Sequence, residues 1–323
     1  MRKGIKIVLF TGLGILVAGV IICAIIFAVH GFNWRSMIRQ SGHTASSAAN
    51  LQEMTKTIDE AFDSLEVDVA SAEVCVKKST DGTCRIEYMD DPDNEQYEIK
   101  VQDGRLIFRN VATGWDWNSA KDVLNNVLDA VGNGYDFEEK AVTVYLPEKA
   151  YQTLEIGSAS GDIVIDDELT FADAHISTAS GDVALRNIKG LLQLSISTAS
   201  GKIGLADMTI ESGLVVSSAS GDIALDQVTV NARATIGTVS GEVKLTKTVF
   251  AEGHVDTTSG DIYLTYPEAD KMEIDTTSGS VTGHISPEYH VHVDTVSGDV
   301  NTLSGEKGDW DIETVSGDVD LWS

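Results

Sequence analysis

Ser177-Thr178-Ala179-Ser180-Gly181-Asp182-Val183-Ala184-Leu185 returns, twenty residues later, as Ser197-Thr198-Ala199-Ser200-Gly201-Lys202-Ile203-Gly204-Leu205. The Ser-Gly pair at the centre recurs in step nine times, at Ser160, Ser180, Ser200, Ser220, Ser240, Ser259, Ser278, Ser297 and Ser316. The step is twenty residues as far as Ser240 and nineteen beyond it. A fixed period of this size marks a solenoid, whose turns bury their apolar faces only by stacking on one another. The expected architecture is all-β, a single-stranded parallel β-solenoid with 19–20 residues per turn.

Counting from each serine, position −4 reads Ile156, Ile176, Ile196, Val216, Ile236, Val255, Ile274, Val293 and Ile312. Position +3 reads Ile163, Val183, Ile203, Ile223, Val243, Ile262, Val281, Val300 and Val319. Every member is β-branched and apolar, which suits strands on a pleated, half-buried surface. Position +5 is leucine from Leu185 to Leu264, and Gly283 and Thr302 break it. The apolar parity changes between −4 and +3, so the Ser-Gly pair sits at a corner. Glycine there permits either φ > 0 or a close approach of stacked backbones. Position −2 is a hydroxyl in all nine turns, from Ser158 and Thr178 to Thr314. With turns ~4.8 Å apart, the −2 and zero hydroxyls are expected to bond along their columns. An outward Thr-x-Ser array matched to ice or a crystalline polysaccharide is the alternative, and the apolar −4 column on the same parity opposes it.

Outside the array, Ile7 to Val29 is an uncharged run of 23 residues behind Arg2, Lys3 and Lys6. As a helix it spans about 35 Å, enough for one membrane crossing with the basic end cytoplasmic. Residues 1–30 thus read as a cytoplasmic tip and anchor, and 31–64 as a stalk with a short helix over Leu51 to Phe62. Residues 65–323 read as the solenoid, with degenerate turns and an insertion in 65–153 and regular repeats in 154–323. The degenerate turns are Leu65 to Val76, with Ala72 in the glycine position, and Tyr97 to Phe108, with Asp103-Gly104 at the corner. A plain hairpin turn at Asp103-Gly104 is the alternative. Val123, Leu124, Val127, Leu128 and Val131 have helical spacing, which predicts a helical insertion preceded by Trp115 and Trp117.

The chain carries a formal net charge of −27, and its only charges before Val29 are basic, so the external part is more acidic still. Such a surface repels nucleic acid and favours cations and basic partners. Position +2 is acidic at Asp162, Asp182, Asp222, Glu242, Asp261, Asp299 and Asp318, interrupted by Lys202 and Ser280. These acids can accept backbone N–H bonds at the corner. A second acidic column appears late at −3: Asp256, Asp275, Asp294 and Glu313. Calcium-binding nonapeptides are absent, so no cofactor is expected and divalent binding there is weak screening. His290 and His292 alternate without a second cluster to complete a zinc site, and no serine lies in a nucleophile elbow, so no catalytic residue is expected. Cys75 and Cys84 can face each other across a hairpin, either as a disulfide or as two separate thiols. No polar cap follows the last repeat, so Trp310 and Trp322 are expected to plug that end or dock a partner there.

The Thr-Ala-Ser-Gly-Asp-Ile/Val-x-Leu pattern resembles the bacterial "putative adhesin" β-strand-repeat family of unknown function, over roughly Leu65 to Trp322. The resemblance implies a β-solenoid, often in envelope proteins of Gram-positive bacteria and in some cases tied to envelope stress. It implies no catalytic residue. The expected role is a single-pass, membrane-anchored, extracytoplasmic interaction protein that binds a cationic peptide, an envelope component or another protein. A stress sensor acting through a membrane partner is the second reading, and a cell-wall-polymer enzyme the third. Candidate contact residues are Trp115, Trp117, Trp310, Trp322, Asp256, Asp275 and Asp294.

Overall fold

A computed structural model describes residues 51–92, 95–110, 141–303 and 305–323. The anchor Ile7 to Val29, the stalk up to Asn50, and the insertion with Trp115 and Trp117 lie outside the described residues. Among the described residues no helix is long and apolar enough to cross a membrane. All named elements are strands. The first seven are β1 (Gln52–Ile58), β2 (Ser64–Val69), β3 (Val74–Lys78), β4 (Cys84–Asp90), β5 (Tyr97–Gln102), β6 (Arg105–Asn110) and β7 (Val142–Leu146). Then come β8 (Ala150–Ser158), β9 (Ile163–Ile165), β10 (Thr170–Thr178), β11 (Val183–Arg186), β12 (Leu191–Thr198), β13 (Ile203–Ser218), β14 (Ile223–Thr238) and β15 (Val243–Thr246). The last are β16 (Val249–Thr257), β17 (Ile262–Thr265), β18 (Glu268–Thr276), β19 (Val281–His284), β20 (Tyr289–Thr295), β21 (Val300–Asn301), β22 (Lys307–Thr314) and β23 (Val319–Trp322).

Each Ser-Gly corner joins two parallel ladders. The front ladder runs β6, β2, β8, β10, β12, the second halves of β13 and β14, then β16 and β18. The rear ladder runs β7, β3, β9, β11, the first halves of β13 and β14, then β15, β17 and β19. Ile176 pairs with both Ile156 and Ile196, and Val183 with both Ile163 and Ile203, so each expected column is a ladder of equivalent positions, buried except at Val293 and Val300. Burial of these columns from both directions drives the stacking.

The glycine is explained by crowding. A Cβ on any of the nine corner glycines would lie 1.7–2.0 Å from the carbonyl oxygen of the residue in the adjacent turn. None of the nine has a positive φ. Positive φ occurs instead at a second corner, seven residues after the serine, at Asn187, Asp207, Gln227, Lys247 and Tyr266.

The hydroxyls do not bond to one another along their columns. In all nine turns the −2 hydroxyl accepts the N–H of the glycine three residues on, at 2.7–3.1 Å. A corner N–H that faces no strand partner is thereby satisfied. The zero serine instead donates to a carbonyl of the adjacent turn, as Ser180 does to Ala159 at 3.3 Å. The +2 acids do accept backbone N–H groups, as Asp162 does from Asp182 at 2.7 Å.

The two ends depart from the repeat. Leu51 to Phe62 is not a helix. Residues 52–58 form β1, paired antiparallel with β4 from Gln52 opposite Asp90 to Ile58 opposite Cys84. An otherwise open edge of β4 is covered that way, and the pairing outweighs a weak helical pattern. Tyr97 to Phe108 is not a turn of the solenoid either. It is the β5–β6 hairpin, closed at Asp103 (φ 52°) and Gly104 (φ 77°), the left-handed pair that a two-residue hairpin turn requires. Only β6 joins the front ladder. Leu65 to Val76 is a true turn, and Ala72 packs beneath Gly161. The Cys75–Cys84 hairpin is absent, because β7 lies between β3 and β4 and pairs with both. Both cysteines are free thiols; Cys84 is buried and Cys75 partly exposed, and burial pushes each up to about 11.

At the other end the order of turns in space is not their order in sequence. β18 and β19 pair with β22 and β23, and β20 and β21 pair with the far side of β22 and β23. The turn built by residues 307–322 is thus inserted between the two turns that precede it. Trp310 consequently has 0% exposure, stacks on Tyr289 at 4.7 Å and donates its indole N–H to Ala269 at 3.2 Å. Enclosing an indole is worth on the order of 4 kcal/mol, a gain unavailable at an open end. The exposed apolar residues Val296 and Val300 belong to the 289–301 turn, which forms the actual end.

Candidate functional site

Parallel in-register stacking turns any short outward motif into an array. Position −4 points inward, so −5 and −3 point outward. In the last four turns these positions read His254-Val255-Asp256, Glu273-Ile274-Asp275, His292-Val293-Asp294 and Asp311-Ile312-Glu313. The ladder order β16, β18, β22, β20 places Glu313 between Asp275 and Asp294, and Asp311 between Glu273 and His292. The result is a grid of six carboxylates and two imidazoles on one face. At the same positions the three preceding turns carry only Ser195, Ser197, Val215, Ser217, Thr235 and Gly237. Charge therefore returns at β16 after three uncharged turns; nearer the other end the same columns hold Glu66, Asp68, Glu155 and His175.

Like charges in adjacent strands repel, and the titration of the grid registers this. Burial, then the neighbouring Asp256, pushes the Asp275 carboxyl up to about 7. Asp311 and Glu313 are also raised, chiefly by burial, with Asp294 and Glu273 adding to both. His254 is raised by its hydrogen bond to Asp256, Nε2 to Oδ2 at 2.6 Å. His254 Nδ1 lies 3.5 Å from Glu273 Oε2. Across the grid, His292 Nε2 is 3.9 Å from Asp294 Oδ2. Lysine and arginine stay at the margin, where Glu252 takes Arg233 at 2.8 Å and Lys271 at 3.5 Å.

The expected contact residues separate. Asp256, Asp275 and Asp294 share the grid, although Asp294 is not a direct neighbour of Asp275. Trp310 is core and offers no contact surface. Trp322 is 37% exposed on the rear ladder, where its indole N–H donates to His284 Nε2 at 2.6 Å. Tyr266 stacks on the other side of His284 at 5.7 Å, completing a short aromatic row. The −5 column, with His254, Glu273, His292 and Asp311, is absent from the sequence-based set. Its signal was present as the alternation of charged residues around each −4 residue. At the opposite end, a depression of about 550 Å³ is lined by Glu66, Lys100 and Arg105 among others, but Arg105 is already held by Glu66 and Glu155.

The family described as Toastrack DUF4097 matches residues 62–322, which is most of the chain and all of the stacked turns. The chain belongs to the Toastrack DUF4097 family. A comparison with curated proteins finds no match. Among solved structures, a "putative adhesin" from Parabacteroides merdae is similar at 14% identity and a TM-score of 0.50, over 84% of this chain and 96% of that one. A "putative adhesin" from Bacteroides fragilis is similar at 15% identity and a TM-score of 0.49, over 85% and 98%. Identities this low speak to the Toastrack fold alone.

Proposed function

We propose that this Toastrack protein is an adhesin-like, non-catalytic interaction protein of the cell envelope. In this reading Ile7 to Val29 hold it in the membrane, the solenoid lies outside, and the grid on β16, β18, β22 and β20 receives a cationic partner such as a basic peptide. The observation that carries it is the density of the grid, with all eight −5 and −3 positions of β16, β18, β22 and β20 titratable after three turns with none. Acidity needed only for solubility has no reason to concentrate where it raises carboxyl pKa values. The description of same-fold relatives as "putative adhesin" agrees with a binding role.

The test is binding of the full chain in detergent micelles to an oligolysine peptide across a salt series. A triple variant, Glu273→Gln with Asp311→Asn and Asp294→Asn, serves as the comparison. The native chain is expected to bind at low salt and to release the peptide as salt is raised. The variant is expected to bind about tenfold more weakly or worse. Equal binding by the two chains, or no binding by the native chain at low salt, overturns the reading.

A further inference from the structure

His254 holds a buried nitrogen with nothing to do. Its Nε2 is committed to Asp256, whose side chain is only 7% exposed and which fixes the ring orientation. Its Nδ1 is buried and has no hydrogen-bond partner. An unpaired buried polar atom carries a cost of about 1–3 kcal/mol, and such atoms in native folds call for a reason. Here the nitrogen faces carboxylates. β16 and β18 are in register, with His254 opposite Glu273 and Asp256 opposite Asp275. One ligand atom each from His254, Glu273 and Asp275 lie within 4.8 Å of one another. With Nε2 carrying the proton given to Asp256, Nδ1 presents a lone pair toward the Glu273 oxygen at 3.5 Å. Two electron-rich atoms in that arrangement repel unless positive charge stands between them, supplied by a second proton on Nδ1 or by a metal ion that takes its place.

We propose that His254, Glu273 and Asp275 form a binding site for a divalent transition-metal ion, with Asp256 orienting the imidazole from behind. One nitrogen and two carboxylate oxygens form a ligand set that zinc accepts, with bonds of about 2.0–2.2 Å and water completing the coordination. The separations are at most about 1.4 Å longer than the ~3.4 Å between ligand atoms of a tetrahedral site. A carboxylate hydrogen-bonded to the far nitrogen of a metal-bound histidine is the recurrent supporting partner of such sites. Calcium is disfavoured, because it selects oxygen ligands and gains nothing from the imidazole. This site stands whether or not the grid docks a cationic partner.

The experiment titrates zinc chloride into the untagged full chain in micelles by calorimetry, with calcium chloride as a parallel arm. Cobalt(II) absorption in the visible range reports on the ligands. Expected are one zinc per chain with micromolar or tighter affinity, a zinc-dependent rise in thermal midpoint, and a cobalt spectrum. Asp256→Asn is expected to weaken zinc by about 10–100-fold, and His254→Gln to abolish the cobalt spectrum. Glu273 is 51% exposed, so Glu273→Gln leaves the fold intact and supplies a variant should His254→Gln misfold. The proposal is overturned by the absence of zinc binding. It is equally overturned by zinc affinity unchanged in both His254→Gln and Glu273→Gln, or by calcium binding as tightly as zinc.

Discussion

A methyl group at Gly201 would sit 1.8 Å from the carbonyl oxygen of Gly181, whereas one at Gly204 would have only Val183 O, at 4.0 Å. Gly201→Ala is therefore expected to cost more than about 4 kcal/mol, because backbone must move in two turns at once. Gly204→Ala, three residues away, is expected to stay within about 0.5 kcal/mol of the native chain in urea unfolding. Asp68 sets a different kind of limit. Its carboxyl is pushed up to about 7, first by burial and then by Glu66, against the opposing pull of Arg109. Between about pH 4 and 7 the folded chain thus holds a proton that the unfolded chain has released. Stability falls as pH rises through that window, and Asp68's contribution is fully lost above it. Asp68→Asn should therefore stabilise the protein by about 1–3 kcal/mol at pH 8, allowing for partial screening, and change little at pH 4. Equal effects at both pH values would show that the burial of Asp68 is not the cause. At this scale the sequence was readable where identity repeats. The β-branched columns and the corner glycine were legible because every turn imposes the same constraint. The second corner was not, because residues as different as Asn187, Lys247 and Tyr266 all adopt its positive φ.

Strand pairing was legible only where local spacing determines it. The Asp103-Gly104 dipeptide fits both a solenoid corner and a hairpin turn, and the choice is made by β5, which has no turn of its own to stack on. The interleaving of residues 307–322 left no local trace either, because Ile312 and Val293 suit the same column next to Ile274 equally well. What discriminates is size, since an indole at position 310 is covered only in the middle of a stack. Cysteine pairs test the arrangement directly. Lys271→Cys with Asp309→Cys should cross-link under mild oxidation, since these positions are direct neighbours. Lys271→Cys with His290→Cys should not, because a whole strand separates them and two strand spacings, about 9.6 Å, exceed disulfide reach. The opposite result would restore the sequential order of turns.

For the molecule as a whole, the stacking rule read from nine serines accounts for most of the core and, by the same periodicity, for the charged face. The grid is one alternating motif multiplied by parallel register. The sequence showed its −3 column, and half of the site was missed because the −5 residues differ from turn to turn while sharing the ability to titrate. The net charge of −27 gave the sign of the surface and not its location. The inserted turn has a further consequence, which concerns manufacture. A chain synthesised from its N-terminus completes residues 289–301 before residues 307–322 exist. The earlier segment must then either wait unpaired, or settle on β18 and β19 and be displaced when the later one arrives. From β8 to His284 the Toastrack stack can be assembled in order of translation, but β7 enters between the earlier β3 and β4, and the closure by residues 307–322 is likewise a rearrangement rather than an addition.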